Sequence, residues 1–140
     1  MQSLSLGTDD VFEKEEKSWA SYDTSSFPDV KIKMSGKIEN QKDFDNFIEG
    51  WRDLYKRNER FTLTFDTKEV GMVSMKYAFQ MRSFIRELKS NYPRLLQKSY
   101  ISTESKWVRF LLKVIFFMEK PVADVIIQNE SDGSSITVKS

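Results

Sequence analysis

The segment FTLTFDTKEVGMVSMKYAFQMRSFIRELKS, Phe61 to Ser90, changes its hydrophobic period partway along. Phe61, Leu63 and Phe65 alternate with Thr62, Thr64 and Asp66. That alternation is the pattern of a half-buried strand, because successive strand side chains point to opposite faces. Thr67 to Gly71 reads as a loop. Ser74 then offers a hydroxyl to cap a helix, and Tyr77, Ala78, Met81, Phe84, Ile85 and Leu88 follow at the spacing of one apolar stripe. Asn91-Tyr92-Pro93 ends that helix, since the residue before a proline is driven out of helical geometry. A strand, a short loop and an amphipathic helix in this order form half of a crossover unit, which leads to a further parallel strand.

The same alternation of periods extends in both directions. Upstream, Asn40 is placed to cap a helix carrying Asp43 in its first turn and Phe44, Phe47, Ile48, Trp51, Leu54 and Tyr55 on one stripe. Before it, Val30, Ile32 and Met34 alternate with Lys31, Lys33 and Ser35 as a strand, and Ser18 to Tyr22 reads as a short edge strand. Downstream come a strand at Gln97–Ser102, a helix from Lys106 to Glu119 capped by Ser105 and stopped by Pro121, and a strand within Ala123–Gln128. The order predicts an α/β domain with a mixed, largely parallel sheet of four to six strands and three main helices. The helices are expected to cover one face of the sheet fully and the other less so. Residues 1–10 read as a polar tail, 11–130 as the domain, and 131–140 as a tail or weak edge strand.

Composition narrows the chemistry. The chain has no Cys and no His among its 140 residues. It therefore lacks thiolate zinc ligands, disulfides, a cysteine nucleophile, and the side chain most often used as a general base. Its five glycines are scattered and build no phosphate loop. A binding module without cofactor or metal, not an enzyme, is the expectation. A net charge of +1 carries no basic excess of the kind a generic nucleic-acid binder shows. The N-terminus lacks an apolar leader core, and the longest apolar stretch, Trp107–Met118, is interrupted by Arg109 and Lys113. Spanning a bilayer takes about 20 apolar residues, so a cytoplasmic protein is expected.

Three candidate sites follow from helical and strand geometry. At about 100° per residue, Trp107, Phe110, Leu111, Val114, Ile115, Phe117 and Met118 gather on one side of the third helix. Lys106, Arg109, Lys113 and Lys120 share the other side, with Leu112 and Phe116 beside them. A basic face flanked by apolar groups suits an anionic lipid surface or an acidic partner. The alternative is a core helix with a solvated basic face. On the second helix, Met75 and Phe79 point away from the core stripe and share their side with Arg82 and Arg86, as a partner contact would. The alternative there is cover by the N-terminal segment. Asp66 ends a strand and Ser74 begins a helix, which together could hold a ligand, or could serve only as turn and cap residues.

Two resemblances are visible. From about Trp19 to Asn129 the layout is similar to a STAS/SpoIIAA-like domain, most closely at Phe61–Ser74, where Asp66, Val70 and Val73 match the spacing of that family's strand and loop. Ser74-Met75-Lys76-Tyr77 stands where the family carries its phosphorylated Asp-Ser-Ser/Thr-Gly. This likeness implies a regulatory protein-interaction module without the usual phospho-switch, with a protein partner or self-association. Tyr92-Pro93-Arg94-Leu95-Leu96-Gln97-Lys98-Ser99-Tyr100-Ile101 and the later Lys120-Pro121 resemble the corresponding segments of CRAL-TRIO domains. That likeness implies the alternative function, binding of a lipid or an anionic membrane surface.

Overall fold

Ten secondary elements realise this order in the computed structural model, which describes residues 18–140. The expected tail at 1–10 and the charge cluster Glu13–Lys17 lie outside the described residues. Strands β1 (Ala20–Asp23) and β2 (Asp29–Gly36) precede helix α1 (Gln41–Leu54), which tightens into a 3-10 turn at Tyr55–Arg57. Then come β3 (Phe61–Val70), α2 (Met75–Asn91), β4 (Leu96–Thr103), α3 (Lys106–Met118), β5 (Val125–Asn129) and β6 (Ser135–Val138). The expected caps form. Asn40 and Asp43 exchange side-chain and backbone bonds in a capping box, Ser74 accepts from Lys76 N, and Ser105 accepts from Val108 N.

All six strands join one sheet in chain order. β2 to β5 run parallel, while β1 and β6 close the two edges antiparallel. Each crossover moves one strand in the same direction, so connections of one hand put all three helices on one face. The packing agrees. Phe47 and Trp51 of α1 meet Phe65 of β3 at ring-centroid distances of 6.4 and 5.4 Å, and Phe84 of α2 stands edge-on to Trp51 at 5.3 Å. Leu111 and Ile115 of α3 pack against Ala78 and Ile85 of α2. The most deeply buried side chains include Val30, Ile32, Phe61, Leu63 and Leu88, each contributing about 1.5–3 kcal/mol by leaving water.

The opposite face of the sheet carries Lys31, Lys33, Thr62, Thr64, Asp66, Lys98, Tyr100 and Ser102, none of them buried. No helix among the described residues covers it. One difference from the sequence reading concerns β3, which continues through Thr67–Val70 where a loop was expected. A register shift after Lys33 lets Ser35 pair with Glu69 and Gly36 with Val70, and the Thr67 hydroxyl donates to Ser102 O at 2.7 Å. The extra pairing satisfies backbone groups that a loop would leave to water.

Candidate functional site

The inner face of the parallel strands does not fill the space beneath α2 and α3. In the central row Leu63 of β3 lies beside Ser99 of β4, which lies beside Val125 of β5. Ser99 is buried, yet its side chain is far smaller than its neighbours. Ala78 on α2 and Ala123 before β5 are likewise small and buried. Where these positions converge, a cavity of about 150 Å³ opens between the sheet and the two helices. Met81, Ile85 and Leu88 of α2 and Val108, Leu111, Leu112, Ile115 and Phe116 of α3 form its roof; Phe65, Thr67, Ser99, Ile101 and Val125 form its floor. Trp19, Phe47 and Trp51 reach it from the α1 side. Among the described residues no charged side chain lines it, and the Thr67 hydroxyl is already engaged by Ser102 O. An apolar void of this order stays dry and accepts apolar guests.

The walls of the cavity correct part of the sequence reading. Leu112 and Phe116, expected at the surface beside the basic stripe, are half-buried, pack on the core and line the cavity. Phe110 and Phe117, expected in the core stripe, are the exposed ones, at 48 % and 92 %. The cause is that α3 is apolar around most of its circumference. Val108, Leu111, Leu112 and Ile115 make an i, i+3, i+4, i+7 stripe as regular as the one containing the large aromatics, and only the register of α3 on the sheet decides between them. Met75 is also corrected: it is half-buried and packs against the cluster of Ala78, Ile85, Leu111 and Ile115.

The remaining candidates are placed as follows. Phe79 is 45 % exposed, with the Arg82 guanidinium 5.8 Å from its ring centroid. Arg86 and Lys89 both hold Glu119 at 2.7 Å, and these two partners, Lys89 first, keep the Glu119 carboxyl below the usual range. Lys113 is exposed and Arg109 half-buried on α3. Asp66 lies on the open face of the sheet, away from the cavity, where its carboxylate accepts from Lys68 N at 3.1 Å. The Ser74 hydroxyl is used as the α2 cap. The structure thus keeps Phe79, Arg82 and Arg86 together along α2, places Lys113 exposed on α3, and leaves Asp66 on the open face of the sheet.

Sequence reasoning missed the cavity itself. Its signal was the small residue at an inward position of β4, Ser99 within QKSYIS, between positions held by Leu63 and Val125. At the top of α3, Trp107 Nε1 donates to Val73 O at 2.8 Å and ties that helix to the segment before α2. Among the described residues no helix is long and apolar enough to cross a membrane.

Comparison with known proteins adds one finding. The CRAL/TRIO domain family model matches residues 42–136, from the start of α1 to the second residue of β6. No curated protein and no solved structure matches the chain. The match includes Tyr92–Ile101 and Lys120-Pro121, the segments that carry the second resemblance, whereas the STAS/SpoIIAA likeness gains no support. With well over half of its residues matched and the parallel sheet roofed by helices on one face, this chain belongs to the CRAL/TRIO domain family.

Proposed function

We propose that the domain binds a lipid, taking an apolar chain into the cavity between the sheet and helices α2 and α3. The observation that carries this reading is the uncharged, apolar lining of that cavity in a member of this family. At about 150 Å³ it is smaller than the roughly 300–1,000 Å³ of sites for drug-sized ligands, so it suits a stretch of one chain better than two chains side by side. In this reading the module binds or carries and does not catalyse. Trp19 and Trp51 line the cavity, which supplies an internal probe. Titration with 12-bromododecanol should quench tryptophan fluorescence saturably, because the bromine would come to rest beside these rings. Absence of saturable quenching would count against the reading.

A second surface supports contact with an anionic bilayer. Phe110 and Phe117 stand exposed on α3 among Lys106, Lys113 and Lys120, also exposed. Apolar rings interleaved with ammonium groups on one helix face suit the boundary between headgroups and acyl chains. Co-sedimentation with vesicles of phosphatidylcholine alone, and with added phosphatidylserine, tests this contact. The protein-partner reading, self-association included, has no observation of comparable weight.

A further inference from the structure

The α2–α3 seam lies directly above the cavity, and one cation in it lacks an ionic partner among the described residues. Ala78 and Ile85 of α2 and Leu111 and Ile115 of α3 form the base of the seam and line the cavity below. Arg82 sits between Ala78 and Ile85 on that same flank of α2, four positions after one and three before the other. It is half-buried, and its Nε is buried with no hydrogen-bond partner among the described residues. Its contacts are the Met118 sulfur across the seam, 4.0 Å from an Nη, and the Phe79 ring. Glu119, the residue after Met118, is already engaged by Arg86 and Lys89. Arg86 and Lys89 thus share one carboxylate, whereas Arg82 on the same helix has no carboxylate partner among the described residues. A buried guanidinium nitrogen left unbonded is costly, and an oxyanion is the group that best satisfies a planar guanidinium.

We infer that the bound molecule is a single-chain amphiphile with an anionic head, a fatty carboxylate or a monoalkyl phosphate, whose head group is held at Arg82 while its chain descends through the seam into the cavity. This rests on the lipid-binding reading above. It assigns the ligand a charge, which an apolar cavity alone would not require. The size of the cavity and the place of the cation are consistent with each other: one chain below, one acidic head at the surface.

The test uses three probes of equal chain length, laurate, dodecyl phosphate and dodecanol, competing with 12-bromododecanol for tryptophan quenching in the full chain above neutral pH. Wild type should bind both anions at least tenfold more tightly than dodecanol, and the difference should shrink in high salt. Arg82→Gln should lower both anions to the level of dodecanol while dodecanol itself changes less than twofold. Arg82→Lys should keep most of the anion preference, which shows that charge and not packing is responsible. Whichever anion binds more tightly identifies the head group, and either ranking supports the assignment. Equal affinity for anions and alcohol in wild type, or an anion preference that survives Arg82→Gln, would overturn it while leaving lipid binding intact. Failure of dodecanol and 12-bromododecanol to bind at all would overturn the lipid reading and this inference together.

Discussion

Arg52 of α1 and Glu87 of α2 form a two-pronged ion pair, with Nε and Nη2 donating to the two carboxylate oxygens at 2.8 and 2.7 Å. The pair fixes α2 against α1, and the reciprocal amide bonds of Gln41 and Gln80 at 2.6 and 3.1 Å repeat the tie near the other end. No comparable polar clamp joins α2 to α3 among the described residues apart from the Arg86–Glu119–Lys89 cluster. Of the two helices over the cavity, α2 is therefore anchored on its far side, and its seam with α3 is the side where separation breaks fewer directional bonds.

The Arg52–Glu87 pair predicts a specific acid response. Arg52 holds the Glu87 carboxyl below its ordinary value of about 4.5. A carboxyl with a depressed folded-state value stabilises fully above the unfolded value and loses that contribution as pH falls through the folded one. Glu87→Gln should cost about 1 kcal/mol at neutral pH, the upper range for a partly exposed pair of good geometry. The cost should vanish below the folded-state value. Urea midpoints for both chains measured from neutral pH down to about pH 3 check this, and a pH-independent gap between them would contradict it.

Gly50 of α1 predicts a steric effect. A Cβ placed there would overlap the Tyr22 ring of β1. The ring cannot easily yield, because its hydroxyl donates to Phe47 O at 2.6 Å and it stacks near Phe47 at 6.4 Å. Burial, and then the charge of Asp53, push this phenol above its ordinary range, as expected for a group held inside. Alanine normally strengthens a helix by about 1 kcal/mol over glycine. Here Gly50→Ala should instead destabilise by about 1–3 kcal/mol through forced repacking. Adding Tyr22→Ala should make the glycine-to-alanine change neutral or favourable, and a double-mutant cycle by urea melts reads that coupling.

Ser99 predicts the effect of filling the cavity. Ser99→Val replaces a hydroxyl with methyl groups in an apolar wall, on a strand position suited to a β-branched side chain. The urea midpoint should rise, by an amount corresponding to about 1 kcal/mol for the added buried carbon. Saturable quenching by 12-bromododecanol should weaken at the same time. A lower midpoint would show that the space beneath α2 and α3 is already filled by side-chain motion.

The strand–helix order and all three caps were legible because they rest on local chemistry: period, Ser or Asn caps, and a proline stop. The largely parallel character of the sheet followed from the same alternation, whereas the order of its strands came from the structure. The placement of α3 was not legible, because Val108–Leu111–Leu112–Ile115 and Trp107–Phe110–Val114–Phe117 are both helical stripes, and tertiary packing alone selects the first. The extension of β3 through Val70 was hidden for a similar reason, since Thr67–Val70 pairs only after β2 shifts its register beyond Lys33. The cavity depends on which small residues meet across elements; Ser99 at an inward strand position hints at it in the sequence, but only the fold brings Ala78 and Ala123 to the same place.

The register of α3 predicts opposite outcomes for two apolar pairs on different sides of the helix. Leu112 and Phe116 pack against the core, so Leu112→Ser with Phe116→Ser should lower stability by several kcal/mol, since truncating a buried Phe alone costs about 3–5 kcal/mol. Half-burial places the expected loss toward the lower end of that range. Phe110 and Phe117 are exposed, so Phe110→Ser with Phe117→Ser should stay within about 0.5 kcal/mol of wild type per site. The second pair should nevertheless lose binding to phosphatidylserine-containing vesicles, because it removes the rings that would enter the interface. Lys113→Glu should weaken the same binding through charge, at about 1 kcal/mol per basic residue removed, and should leave the urea midpoint unchanged. Raising the salt should reduce what remains in Phe110→Ser with Phe117→Ser, because only the ammonium groups are then left to attract the bilayer. If the Phe110 and Phe117 variant binds vesicles like wild type, the exposed rings are not the contact. If it unfolds as readily as the Leu112 and Phe116 variant, the register of α3 on the sheet is wrong.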